Sequence, residues 1–425
     1  MKIREWVGCK AVDSFGKSYI DLTAGGIFSC MFGPAYAPIY EAMMRVTYFH
    51  CYSSRFGNYW QEKYREMLRE DTGFESFVVY SGGAEAVEAA LRVAWTYTGQ
   101  PGVWGGLVDP DLVGTDKPPC DQFHGWTLGA RILAGKIAWP ELGVYPELGG
   151  LKFGLAPENT AIMAMEPYHA ASGQFHKQDP TLNRIAERRK EFPNILFLID
   201  EIQGGFGRTG KMFAHQHYEP KLYPDIVTLG KLVGAGFPMS VLCGPKEVLE
   251  SESVKKFAHL HSTHSWNPLA CSVGCMVIEK MRELNLIGES ARKGKILHDM
   301  LSKLPVRSHG KGLMAGVEFD SPEEAAKVIR LTEERGLLVV DTGRKWVKIG
   351  PALTITDEEL IKGISILKEV VEEVVNGRSG EVETLRVVGE EHCRERKDLP
   401  NIGIQGSEPG NIPCAEDAEQ IRSGN

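Results

Sequence analysis

From residue 77 onward the chain repeats one pattern: a short run apolar at consecutive positions, a helical stretch, then another such run. The runs are Phe77-Val78-Val79-Tyr80, Ala161 to Met165, Ile195 to Ile199 and Ile226 to Leu229. A strand with one wet face alternates apolar and polar residues. A strand apolar at every position needs cover on both faces. Helices between such strands supply that cover, so the pattern predicts an α/β fold on a mostly parallel sheet.

The chain has 425 residues, 43% of them hydrophobic, which is material for two or three structural units. Residues 1–45 are expected to be an N-terminal segment that joins a smaller domain. Residues 46–265 are the large α/β domain, 266–375 a smaller α+β domain, and 376–425 a polar tail or extended arm. In the first segment, KAVDSFGKSYIDLTAGG reads as a hairpin turning at Phe15-Gly16-Lys17. The aromatic stretch TYFHCYSSRFGNYWQEKY has no clean period and reads as a pocket lining, an interface or a packed loop. After residue 266, ACSVGCMVIEKMREL has helical spacing, and GLMAGVEF and GLLVV read as strands. TDEELIKGISILKEVVEEVV reads as a long helix capped by Thr356, with Glu359 completing a capping box.

The net charge of −8, with 24% charged residues, gives no general pull toward a polyanion, so nucleic acid is not an expected partner. No apolar run reaches the roughly 20 residues of a membrane helix. The start, MKIREWVGCK, has no secretory apolar core. Nine scattered cysteines read as reduced thiols in a cytoplasmic protein.

Ligands of open parallel sheets sit beyond the carboxyl ends of the strands. After Val78-Val79-Tyr80 comes Ser81-Gly82-Gly83-Ala84 and then a helix. Glycines let backbone N–H groups approach an anion, and the helix start adds partial positive charge. After Ile199 comes Asp200-Glu201; a carboxylate there needs a cation or several donors. After Leu229 comes Gly230-Lys231; an amine in low-polarity surroundings has a lowered pKa and becomes a nucleophile. Pyridoxal phosphate needs all three: an anion site, an acid for its ring nitrogen and an amine for a Schiff base.

The segment DEIQGGFGRTGKMFAHQHYEPKLYPDIVTLGKLVGAGFPMS resembles the signature of the class III (ω-type) aminotransferases, fold type I enzymes that use pyridoxal 5'-phosphate. YIDLTAGG, SGGAEAVEAALRVAW, FHGWTLGA, MEP, HSTHSWNPLAC, GKGLMAGVEF and GPALTITDEEL resemble further family segments in order, over roughly residues 10 to 375. The resemblance implies a fold type I transferase: a large domain on a mostly parallel sheet and a smaller α+β domain. It implies an aminotransferase that moves an amino group from an amino acid or amine to a 2-oxo acid or aldehyde. Lys231 would be the Schiff-base lysine, and Asp200 would pair with the ring nitrogen. Gln203 would reach the ring hydroxyl. Phe123 would stack on the ring, with His124 and Gly125 shaping its loop. Gly83 and Ala84 would bind the phosphate through backbone N–H groups. Thr263 would bind the phosphate of the neighbouring subunit's cofactor, which implies a homodimer. Glu166 would lie close to cofactor and substrate.

The chain departs from the family at three places. Gly82-Gly83-Ala84 lacks the hydroxyl side chains common in the phosphate loop. In WVKIGPAL, Lys348 stands where many members have the arginine for the substrate carboxylate. Lysine brings charge without the bidentate fork. In EPYHAASG, Ala171 stands where many members pair a glutamate with that arginine. Both halves of that pairing are altered, so the resemblance implies a changed grip on glutamate or 2-oxoglutarate.

Racemases, epimerases and decarboxylases on related scaffolds are the first alternative, since fold alone does not choose between them. A nicotinamide-dependent oxidoreductase is the alternative from another class, but the glycine turn lacks the G-x-G-x-x-G order. His259, His261 and His264 match no common metal spacing and read as structural or interface residues. His215 and His217 read as surface or packing residues, Arg208 as a loop anchor, and Met163 and Met165 as core.

Overall fold

The computed structural model describes residues 1–48, 55–100, 102–104, 160–169, 174–175, 189–219 and 221–395. Phe123, His124 and Ala171 lie outside them.

The chain opens with three antiparallel strands, β1 (Ile3–Val7), β2 (Lys10–Asp13) and β3 (Ser18–Asp21). The β2–β3 hairpin turns through Gly16, as its sequence predicts. Two helices follow, α1 (Ala37–Met44) and α2 (Tyr59–Thr72). The end of the aromatic stretch thus enters a helix, because the Asn58 side chain accepts from the Gln61 N–H and caps it.

The central sheet has six strands: β4 (Ser76–Tyr80), β5 (Gly102–Trp104), β6 (Thr160–Met165), β9 (Leu196–Asp200), β10 (Ile226–Leu229) and β11 (Ser240–Gly244). The short pair β7 (Tyr168–His169) and β8 (Gln174–Phe175) stands apart from it. The order across the sheet is β4-β11-β10-β9-β6-β5. Neighbours β10, β9, β6 and β5 pair in parallel. Strand β11 runs antiparallel to both of its neighbours. Like β5, it is not announced by the run-and-helix pattern; it is five residues closed by Pro245.

Both faces of this sheet are dry. Phe197 and Ile199 of β9 join one apolar cluster, while Leu196 and Leu198 join another. The same alternation holds for Val227 against Ile226 and for Met163 against Ile162. Helix α3 (Gly83–Thr98) covers one face with Ala86, Val87, Ala90 and Val93. Helices α4 (Lys246–Leu249) and α5 (Glu252–Phe257) add Val248, Leu249 and Val254 on that side. On the other face lies α6 (Pro268–Glu283), with Cys271, Val273 and Val277 packed beside Tyr64 and Leu68 of α2. Each fully buried aliphatic or Phe side chain contributes about 1.5–3 kcal/mol. The strands are apolar at every position because both faces are spent on this burial. Cys9, Cys30, Cys243, Cys271 and Cys275 are free thiols inside it.

After α7 (Leu286–Leu301) a second sheet forms from β12 (Ser308–Gly310), β13 (Ala315–Glu318), β15 (Val340–Asp341) and β16 (Trp346–Ile349), in the order β12-β13-β16-β15. Helix α8 (Pro322–Glu334) lies between β13 and β14 (Leu337–Leu338) in the chain. GLLVV is expected as one strand, but the chain changes sheets within it. Leu337 and Leu338 pair in parallel with β3, and Val340 and Asp341 pair with β16. Helix α9 spans Asp357–Glu395 and therefore runs past residue 375, where its apolar periodicity ends. Its start carries the expected capping box: Thr356 N–H donates to Glu359 Oε2 at 3.2 Å, and Glu359 N–H donates to Thr356 Oγ1 at 3.2 Å. By contact the chain divides into Met1–Val375 and Asn376–Asn425. No helix among the described residues is long and apolar enough to cross a membrane.

Arg208 ties the segment after β9 to the second sheet. Its guanidinium is fully buried and donates to the carbonyls of Leu313 and Pro351. Its own carbonyl accepts from Leu313 N–H and Ser290 Oγ. The Phe28 ring lies 5.7 Å from the guanidinium, a cation–π contact. Gly312 makes this junction fit. Its φ is +55°, and a Cβ there would stand 2.2 Å from the backbone carbon of Thr209. Gly312→Ala is therefore expected to destabilise the protein by at least about 1–3 kcal/mol, the usual range for overpacking. Thermal unfolding checks this; an unchanged midpoint would contradict the contact.

Candidate functional site

Four strand ends and the second sheet bring the titratable groups together. Asp200 ends β9, and every residue of that strand is buried. Its Oδ1 accepts from Ile202 N–H at 2.9 Å and from Thr228 Oγ1 at 3.1 Å. Thr228 faces it because the parallel register pairs these two residues. It is also the one polar residue in an otherwise apolar run, which is the signal that could have singled it out. Both bonds fall on the same oxygen, and among the described residues no donor reaches Oδ2. Burial raises the Asp200 carboxyl above the ordinary carboxylate range. Its two hydrogen bonds and the Lys231 ammonium oppose that rise, while Glu201 adds to it.

Lys231 follows β10 and Gly230. It opens a short 3₁₀ turn, Lys231–Gly234, with a left-handed φ of +48°. Non-glycine residues seldom adopt that conformation, and strain of this kind gathers at functional positions. Burial lowers the affinity of the Lys231 amine for its proton, and Asp200 and then Glu166 partly restore it. Glu166 is buried directly after β6. Lys348 comes from β16 and is buried. Its Nζ donates to Gln203 Oε1 at 3.4 Å and lies 5.1 Å from the Phe28 ring. Burial brings its pKa down to about 8, with Glu166 pulling up and Lys231 pushing down. The structure thus joins Asp200, Lys231, Glu166, Lys348 and Gln203 in one mutually interacting group.

The glycine turn is adjacent. A Cβ on Gly83 would meet Ile202 Cδ1 at 2.8 Å, and one on Gly230 would meet Ile202 Cγ2 at 3.2 Å. Ile202 therefore packs between the turn after β4 and the lysine after β10. Glu85 Oε2 accepts from Ser81 and Gly82 N–H at 3.0 and 2.9 Å, and Ser240 Oγ donates to the Gly82 carbonyl at 2.6 Å. These bonds fix the turn and leave the N–H groups of Gly83 and Ala84, at the start of α3, for an anion.

Thr263 is exposed on the loop before α6, and its hydroxyl is bonded to none of these groups. Sequence reasoning missed Ile202, Thr228, Ser240 and Phe28. Phe28 has a φ of +65°, which no local sequence feature announces. Of the two readings of His215, surface or packing, the structure supports packing: it is buried, with its Nδ1 2.8 Å from the buried Glu201 carboxylate. Chemically, the group offers an amine with a weakened hold on its proton, an acid with an open oxygen, a second buried amine and an anion cradle.

A family model described as "Aminotransferase class-III" matches residues 147–371. The acetylornithine aminotransferase of Caldanaerobacter subterraneus subsp. tengcongensis is 30% identical over 86% of this chain and 93% of its own length. The ornithine aminotransferase of Toxoplasma gondii ME49 is 25% identical, with a TM-score of 0.72 over 88% of this chain and 91% of that one. A second structure of the Toxoplasma gondii enzyme, described as having partial occupancy of PLP at its active site, has a TM-score of 0.70 at 25% identity, covering 89% of this chain and 92% of that one. The strand-end chemistry and these similarities agree: the chain belongs to the class III aminotransferases, enzymes of the fold type I architecture that use pyridoxal phosphate.

Proposed function

We propose that Lys231 carries the cofactor and that Lys348 selects donors and acceptors bearing a carboxylate. The observation that carries this reading is the pairing across β9 and β10: a lysine with a weakened proton affinity, facing the buried acid at 200 and the carboxylate at 166.

The residues fit the cofactor group by group. Asp200 keeps Oδ2 for the ring nitrogen, since among the described residues its donors, Ile202 N–H and Thr228 Oγ1, both use Oδ1. Gly83 and Ala84 offer first-turn N–H groups to the phosphate. Ile202 lies between those two places and offers an apolar surface to a flat ring. When bound, pyridoxal phosphate supplies an aldehyde and an electron-accepting ring. Asp200 holds a proton at the ring nitrogen. Lys231 would be the attachment point, and its Nζ, when free, would carry the substrate Cα proton from the donor to the cofactor's aldehyde carbon. General base transfer of this kind contributes on the order of 10²–10⁴-fold. Burial suits Lys231 to this task because it keeps more of the amine neutral near pH 7.

Lys348 is the cation for the substrate carboxylate, held in place through Gln203. Glu166, which faces both amines, balances their charge and orients the substrate amino group. Gln203 also serves the ring hydroxyl. The transfer runs from an amino acid or amine to a 2-oxo acid or aldehyde. Ornithine-type donors are the first to test, given what the relatives are named for. By the family resemblance, Phe123 would stack on the ring and His124 would shape its loop; both lie outside the described residues. The exposed Thr263 serves the phosphate of a second copy, so the working form is a homodimer in the cytoplasm.

Lys231→Ala should lose covalent retention of the cofactor after borohydride treatment, read by mass spectrometry, and should lose turnover on a panel of donors with 2-oxo acids. Retained labelling would contradict the assignment. For carboxylate-bearing donors, KM should stay flat below about pH 7 and rise above pH 8, as the Lys348 ammonium loses its proton. Lys348→Arg should flatten that rise, since a guanidinium stays charged. Lys348→Met should raise KM on the order of tenfold or more at pH 7, the scale of a lost charged hydrogen bond. A parent-like KM profile in both variants would remove Lys348 from substrate binding.

A further inference from the structure

Glu201 follows Asp200, and its N–H extends the β9–β10 ladder by donating to the Thr228 carbonyl at 2.9 Å. Successive side chains of extended chain point to opposite sides. Asp200 takes the side of Thr228 and Lys231, and Glu201 the other. The Glu201 carboxylate has no exposure at all. It accepts from Ala214 N–H at 2.9 Å, from His215 N–H at 2.8 Å, and meets His215 Nδ1 at 2.8 Å.

The chain between is wound tightly on this carboxylate. A Cβ at Gly204 would stand 2.7 Å from the Ala214 Cβ and 3.2 Å from Glu201 Oε2. One at Gly205 would stand 2.8 Å from the Glu201 carbonyl oxygen. Gln203 rides on this segment. The His215 ring stacks on Phe213 at 5.4 Å between centroids, with 12° between planes. It also lines a cleft of about 480 Å³ whose other charged groups are Lys211, Glu219 and Lys221. A buried carboxylate needs its charge offset. Glu201 has one side-chain partner for that among the described residues, the imidazole of His215.

We propose that His215 is a positioning residue for the acid at 200: with Glu201 it forms a buried couple that fixes this strand end and offsets the charge directly behind Asp200. The proposal rests on the reading of Asp200 as the partner of the ring nitrogen. His215 itself touches neither cofactor nor substrate. Asp200 then has Lys231, itself beside Glu166, on its active-site side and the Glu201–His215 couple behind it. Without the imidazole, Glu201 acts on Asp200 as an uncompensated like charge, and Asp200 ionises less readily.

The test is pyridoxal phosphate binding to the apoprotein, measured by calorimetry from pH 5 to 9. Affinity should fall on the acid side as Asp200 takes up a proton. His215→Phe keeps the stacking on Phe213 and removes the donor. It should move that midpoint upward by on the order of one pH unit, which is about tenfold weaker binding below the midpoint. Glu201→Gln removes the like charge and should move it downward. His215→Asn, whose amide can replace the Nδ1 donor, should stay near the parent. Opposite movements in the first two variants are a signature that loss of packing does not produce. Midpoints that stay put, or that move the same way, would overturn the proposal. If His215→Phe does not fold, an unmoved midpoint in Glu201→Gln overturns it alone. Asp200→Asn separates the two readings. A parent-like acid limb in that variant refutes the role of Asp200. A flattened limb there, with the other midpoints unmoved, refutes only the role of His215.

Discussion

The structure depends on opposite charges held at the carboxyl ends of two adjacent parallel strands. Strand β9 delivers Asp200 and strand β10 delivers Lys231, with every residue of both strands buried. Neither group is comfortable there. Desolvation pushes Asp200 toward its neutral acid and Lys231 toward its neutral amine, while each favours the charged form of the other. On the proposed reading, that tension suits Asp200 to a cationic ring nitrogen and Lys231 to giving up its proton. The strained backbone at Lys231 and the Ile202 contact with Gly83 and Gly230 hold the two ends in register with the anion cradle.

Much of this was legible in the sequence, for a physical reason. A strand buried on both faces has few polar positions, so a charged residue at or just past its end marks the exit from the sheet. Asp200 and Lys231 are such residues. Glu166 likewise follows the apolar run Ala161 to Met165. The β2–β3 hairpin and the Thr356 cap were legible because their turn and capping chemistry is local. Strand β11 was not, because it returns antiparallel beside β10 and so breaks the run-and-helix alternation. The division of GLLVV between two sheets was hidden because its two halves pair with different strands, β3 and β16.

The site shows the same divide. Lys348 sits in WVKI, which reads as any strand, and only the family resemblance marked it. Its burial beside Glu166 and Gln203 is a product of the second sheet's position. Phe28 reaches Lys348 and Arg208 from a glycine-rich turn whose φ values no residue pattern encodes. His215 lies in AHQHY, a polar stretch that looks solvated. Its burial follows from Glu201, which must find donors once the strand has carried it inside.

A crystal structure of the chain grown with pyridoxal phosphate addresses the central pairing most directly. Continuous density from Lys231 Nζ to the coenzyme is predicted, with an Asp200 oxygen about 3 Å from the ring nitrogen, the ordinary length of such a bond. Coenzyme bound elsewhere, or Lys231 turned to solvent with Asp200 bonded only to Ile202 and Thr228, would contradict it.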